Sequence, residues 1–227
     1  MSLYVLSDLH LSFGTDKPMD VFRGWENHTE RIRANWNRLI TKDDTVVLAG
    51  DTSWALKLEE TKKDFEFLES LNGKKLLLKG NHDFWWSTQK KIKEFLNENK
   101  FTSIDLLFNN SYTVGDITVC GSRGWLYDGT GELDEKIISR ECGRLELSLN
   151  SVKEENTKKI VFLHYPPVYR DFVCKPIIEV LKNHNIKEIY YGHIHGSGKN
   201  HTVSEYDGIK MKLVSCDCVD FTPIFVG

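Results

Sequence analysis

The chain has 227 residues, 40% of them hydrophobic and 28% charged, a composition that excludes intrinsic disorder. No apolar run approaches the ~18 residues of a membrane span, and MSLYVLSDLHLS lacks the basic and apolar regions of a signal peptide, so the expectation is a soluble, cytoplasmic protein with no membrane partner. A net charge of −3 supplies no global field for a polyanion, which makes nucleic acid an unlikely partner class and leaves any anionic substrate to be attracted locally. The five cysteines are odd in number and scattered, which argues against a disulfide framework.

Apolar runs at Leu3–Ser7, Thr45–Ala49, Lys75–Lys79, Ile160–Leu163 and Glu188–Tyr191 are nearly continuous, as expected of strands covered on both faces. Each is followed at once by Asp, His, Asn or Gly. Between them, Glu26–Ile40 carries an apolar stripe of Ile32, Trp36, Leu39 and Ile40, and Leu58–Leu71 carries one of Leu58, Phe65, Leu68 and Leu71. A third helix is predicted after a Ser87 cap, a fourth over Leu133–Val152 and a fifth over Lys175–Asn183. Ser111–Gly121, His201–Tyr206, Lys210–Ser215 and Pro223–Val226 are short and punctuated by Gly-Asp or Asp-Gly, which predicts antiparallel hairpin strands. With no repeat or Pro/Gly-rich linker, residues 1–227 are read as one α/β domain with mixed sheets.

The polar residues that follow the apolar runs are Asp8-x-His10, Gly50-Asp51, Gly80-Asn81-His82-Asp83, His164 and Gly192-His193-Ile194-His195-Gly196. Only the four-residue motif is specific alone, with about 0.002 chance occurrences expected at this composition. The set is stronger than its parts, because five of the eight histidines fall at the carboxyl ends of predicted strands, where open α/β sheets place their ligands. Two carboxylates, an amide and several imidazoles without thiolate suit Mn, Fe, Zn or Mg, and they outnumber the needs of one ion with an open position. Two metals are implied, with room for one bridging carboxylate and a water acidified to serve as nucleophile.

This ordered set, spanning residues 8 to 195, resembles the calcineurin-like metallophosphoesterase superfamily. The resemblance implies a four-layer α/β/β/α sandwich with two mixed β-sheets. It implies a dinuclear site of divalent or trivalent ions, Mn, Fe or Zn, with Asp8, His10 and His195 on the first ion, Asn81, His164 and His193 on the second, and Asp51 bridging. It also implies in-line attack of a bridging hydroxide on phosphorus, with His82 over the scissile phosphate and donating to the leaving oxygen. The protein-phosphatase branch orients that histidine with an Asp three residues past the bridging one. Here that position is Trp54, which leaves Asp83 as the residue to orient or neutralise His82.

Outside the metal set, Trp54, Phe84, Trp85 and Trp86 form a candidate aromatic wall, with Trp85 and Trp86 expected against the substrate's leaving group. Arg123 is a candidate phosphate clamp. The long insert from Arg123 to Asn156 is a candidate cap, and Cys216-Asp217-Cys218 receives no role. The leading reading is a metal-dependent phosphoesterase acting on a phosphorylated small molecule, nucleotide or phosphoprotein. A nuclease on the same site, and a non-catalytic binding module on the same fold, stay open as alternatives. The oligomeric state is not legible in the sequence.

Overall fold

A computed structural model describes residues 1–126, 132–153 and 156–227, with the side chains of residues 132 and 133 outside that description. Five strands, β1 (Leu3–Leu6), β2 (Thr45–Leu48), β3 (Lys74–Leu77), β4 (Ile104–Leu106) and β13 (Ile224–Phe225), make one sheet in the order β13-β1-β2-β3-β4. Six others make the second: β5 (Tyr112–Val114), β6 (Ile117–Ser122), β7 (Lys158–Leu163), β10 (Glu188–Tyr191), β11 (Glu205–Tyr206) and β12 (Ile209–Leu213), ordered β11-β12-β10-β7-β6-β5. A small hairpin, β8 (Val168–Tyr169) and β9 (Phe172–Val173), stands apart.

The lack of polar alternation in the central strands has a direct structural cause. Val47, Ala49, Leu76, Ile160, Phe162 and Tyr190 point between the two sheets, while their neighbours Val46, Leu48, Leu77, Val161, Leu163 and Ile189 point outward beneath helices. Both faces of each central strand are therefore dry, so the period of two is invisible in hydropathy. On one outer face lie α1 (His28–Leu39), α2 (Lys62–Glu69) and α3 (Gln89–Glu98), contributing Ile32, Trp36, Phe65, Leu68, Ile92 and Leu96 to the core. On the other lie α4 (Glu132–Asn150) and α5 (Lys175–Asn183), contributing Leu145, Leu149, Ile177 and Leu181. Three apolar layers between four structural layers are the α/β/β/α sandwich, with mixed strand directions in both large sheets.

Several elements depart from expectation. Thr88, not Ser87, caps α3, its hydroxyl accepting the Lys91 N–H at 3.3 Å. Of the segments read as antiparallel hairpins, β6 and β12 pair antiparallel on one side but parallel to β7 and β10 on the other, because β6 also opens the crossover through α4 to β7 and β12 closes the one from β10. Strand β4 and the β8–β9 hairpin have no counterpart in the sequence reading; three and two residues are too short to show a pattern. Helix α4 packs on β6 and α5 in an outer layer, so this part of the insert is a structural layer; its residues 127–131 and 154–155 lie outside the described residues.

Candidate metal centre

Strands β1, β2, β3, β7 and β10 end on one side of the sandwich, and the residues immediately after them converge there. The backbone bends sharply to bring them in: Asp8, His10, Asp51 and His193 all have positive φ, 60°, 47°, 51° and 71°, an arrangement costly for non-glycine residues and concentrated at functional sites. Close approach also dictates two glycines. A Cβ at Gly80 would lie 2.1 Å from Asp51 Oδ1, and one at Gly192 would lie 2.3 Å from Asp8 Oδ2.

Asp8 is fully buried, accepts the His193 N–H at 2.9 Å and the Ser215 hydroxyl at 2.9 Å, and faces His195 Nε2 at 3.3 Å from its other oxygen. Asp51 Oδ1 accepts the His82 N–H at 2.8 Å, while its Oδ2 lies 3.9 Å from His10 Nε2 and 3.5 Å from His164 Nε2. Asn81 Oδ1 is 2.7 Å from His164 Nε2 and 2.9 Å from His193 Nδ1.

The donor chemistry of these contacts tests whether a cation belongs among them. His164 Nδ1 faces the Ala49 carbonyl at 3.0 Å, which places its proton there and leaves Nε2 as a lone pair. That lone pair then points at another acceptor, the Asn81 oxygen. His195 repeats the pattern, with Nδ1 held by Asp217 at 2.8 Å and Nε2 turned toward Asp8 and toward His10 Nε2 at 3.4 Å. Convergent lone pairs repel unless a cation or proton sits between them, so the donor set fits metal ions. Among the described residues two groups meet the spacing needed to hold one: Asp8 with His10 and His195, and Asp8 with Asp51 and His164.

Electrostatics points the same way. Burial and the neighbouring carboxylates of Asp8 and Asp83 push Asp51 up to about 9, a penalty that nearby positive charge would reverse. Burial brings His10 and His164 down to about 3, keeping both imidazoles neutral, the form that binds metal. For His195 burial lowers the pKa, but the hydrogen bonds to Asp217 and Asp8 outweigh it and raise it to about 10. A cation at Nε2 must displace that proton.

The structure corrects three sequence-based assignments. Asp83 does not reach the His82 ring; it is fully buried and accepts the N–H groups of Asp51 (2.9 Å), Thr52 (2.9 Å) and Gly80 (2.7 Å), tying the β2 and β3 loops together. The His82 ring instead rests on Trp54, centroids 4.5 Å apart, and Trp54 also stacks on His10 at 4.7 Å and 21°. Trp85 is 2% exposed, packs edge-on to Phe65, and donates its indole N–H to Asp83, because a buried indole needs an acceptor. Trp86 is half-buried against Phe108, and both tryptophans border a separate groove beside α3. Arg123 likewise lies away from the centre, beside Glu141 at 3.5 Å and Lys79 in another cavity, while its carbonyl accepts the His164 and Tyr165 N–H groups.

The cleft above the ligand set is lined by His10, Asp51, His82, His193 and His195, and by Met19, Phe22, Arg23, Trp25 and Trp54. The residues 19–25, Ser215 and Asp217 were missed as site components. Asp217 follows an apolar run in the same way as Asp8 and Asp51, a signal masked by the two cysteines that flank it.

The family model of the calcineurin-like phosphoesterases matches residues 1–197, and the chain belongs to that family. An uncharacterised protein of Methanocaldococcus jannaschii, MJ1445, is 26% identical over 186 residues, 77% of this chain and 90% of that one. Among solved structures, the phosphopantetheinyl hydrolase PptH of Mycobacterium tuberculosis aligns at 16% identity with a TM-score of 0.56, covering 94% of this chain and 88% of its own. The protein of unknown function AQ665 from Aquifex aeolicus aligns at 18% identity and a TM-score of 0.52, covering 99% and 95%. These likenesses establish a shared fold. Family membership carries metal-dependent phosphoester hydrolysis in general terms, and no helix among the described residues is long and apolar enough to cross a membrane.

Proposed function

We propose that this chain hydrolyses a phosphomonoester or phosphodiester at two adjacent ions, Mn, Fe or Zn. The observation that carries the reading is the pair of side-chain clusters flanking Asp51, one at Asp8, His10 and His195 and the other at Asn81, His164 and His193, each built of groups able to ligate a cation. In this reading Asp51 serves both ions, supported by its Oδ2 lying within 4 Å of a histidine nitrogen from each cluster. When bound, the ions supply Lewis acidity toward the phosphoryl oxygens and toward water.

The chain's own residues do the rest. Asp217 and the Ala49 carbonyl fix the tautomers of His195 and His164, so their free nitrogens face inward. His82 lines the cleft with its backbone fixed on Asp51 and its ring braced by Trp54, placed to hold a proton at the leaving oxygen. Burial lowers the His82 pKa in the free protein, and an anionic phosphoryl group beside it raises the pKa again. The test is turnover of a panel of phosphomonoesters and phosphodiesters by chelator-stripped protein reloaded with Mn, Fe, Zn or Mg. Hydrolysis that returns with metal supports the reading; no turnover with any ion, on protein shown to bind two, leaves the non-catalytic alternative.

A further inference from the structure

The cleft is larger and more apolar than the phosphoryl chemistry needs. Its volume is about 530 Å³, inside the ~300–1,000 Å³ range of small-molecule sites. The segment 19–25 forms its outer wall and is held by successive turns, Phe22 N–H to the Met19 carbonyl and Trp25 N–H to the Phe22 carbonyl, both 3.0 Å. Arg31 adds a brace by donating to the Gly24 carbonyl at 2.8 Å while pairing with Asp220 at 2.7 Å. A wall fixed in this way is ready before a ligand arrives.

The free surface on that wall is narrow. Trp25 is buried against His10, His195 and Phe221, and Trp54 has His10 on its ring and Lys17 Nζ at 4.8 Å, so neither offers an open face. Phe22 is 55% exposed at the cleft mouth. Arg23, beside it on the cleft wall, is exposed and makes no hydrogen bond or ion pair among the described residues. An unpaired arginine is ordinary on an open surface; on the wall of an anion-attracting cleft it is a second point of recognition.

We infer that the cleft takes a small-molecule phosphoester whose alcohol part carries a flat ring for Phe22 and a second anionic group for Arg23, the composition of a nucleotide with two phosphoryl groups. This rests on the phosphoesterase reading and adds the substrate class to it. A folded phosphoprotein lacks the compact shape that such a cleft encloses, and Lys17, already seated on Trp54, leaves too few free cations at the rim for a nucleic-acid backbone.

Three nested probes separate the contributions: ribose 5-phosphate, AMP and adenosine 3′,5′-bisphosphate, on metal-reloaded protein. Michaelis constants should fall at both steps, by about fivefold for the ring and about threefold or more for the second phosphoryl. Phe22→Ala should abolish the first step and Arg23→Ala the second, with Arg23→Lys recovering part of it and kcat little changed; Arg140→Ala, on the exposed face of α4, is the control. Titration calorimetry reads the same order as affinities whether or not an ester turns over. Ordered binding without hydrolysis would remove the catalytic reading alone. Equal constants for the three probes, or a second step that survives Arg23→Ala, would overturn the subsite alone.

Discussion

Asp217 grips His195 from behind: one carboxylate oxygen lies 2.8 Å from Nδ1 while the other accepts the Gly196 N–H at 2.7 Å. The two contacts fix both the imidazole and the backbone that follows it, and the hydrogen bond to His195 holds the Asp217 carboxyl below its usual range despite burial. Such outer partners commonly contribute ~10–100-fold to metal affinity. Asp217→Ala is therefore expected to weaken metal held at His195 by that factor, and Asp217→Asn, which keeps one acceptor, to fall between. Metal retained per chain after dialysis against graded chelator measures it; unchanged retention in Asp217→Ala would show that the carboxylate only braces the loop.

Asp51→Asn should weaken both ions, because its Oδ2 lies between His10 and His164, whereas His195→Ala should mainly disturb one. The two variants give different stoichiometries by elemental analysis. Two tightly held ions in Asp51→Asn would refute its shared role.

His82→Ala should keep the fold and the ligand set, since among the described residues the ring packs on Trp54, His10 and Phe84 and the anchoring N–H to Asp51 belongs to the backbone. Turnover of an alkyl phosphate should drop ~10²–10⁴-fold. Nitrophenyl phosphate, whose leaving group departs with little protonation, should lose much less. Equal losses on both would move His82 from proton donor to electrostatic partner.

Lys75 supplies a pH prediction remote from the centre. This residue of β3 is fully buried, its ammonium donating to the Leu71 and Gly73 carbonyls at 2.7 and 2.8 Å, and burial brings its pKa down to about 8 from 10.5. Above pH 8 the folded chain sheds a proton that the unfolded chain keeps up to pH 10.5, so this group's contribution to stability rises with pH across that window, by roughly 3 kcal/mol if the shift is fully realised. Lys75→Met should flatten that part of the profile in urea unfolding followed from pH 7.5 to 10. A slope identical to the parent's would assign it to other groups.

The metal-ligand candidates were legible because the physics that builds the site also writes a pattern: a continuous apolar strand, then a polar residue at its carboxyl end. Asp8, Asp51, Asn81, His164 and His193 all obey it, and the structure brings them together. What surrounds the candidate ligands was not legible. Trp85 and Trp86 adjoin His82 in sequence, yet the turn at Asp83 sends Trp85 into the core, where its N–H completes the carboxylate's set of donors. Adjacency along the chain says nothing about side-chain direction once the backbone leaves regular structure. The wall at Met19–Trp25 lies on irregular backbone with no period to read, and only its turns place Phe22 and Arg23 at the cleft. Trp54, already noted as standing where the protein-phosphatase branch has an Asp, braces His82 by ring contact, and Asp83, the residue expected to orient that ring, does not.

Asp8 takes its last hydrogen bond from Ser215, 207 residues further along, and β1, which carries it, is paired on one side by β13. At ~5–20 residues per second, a ribosome needs roughly 10–40 s to supply that partner after Asp8 has been made. Until Ser215 is in place, the Asp8 carboxylate lacks one of the donors that fix its direction in the folded chain. A cation held at Asp8 therefore meets a complete set of surrounding donors only after the last strands of the chain have docked.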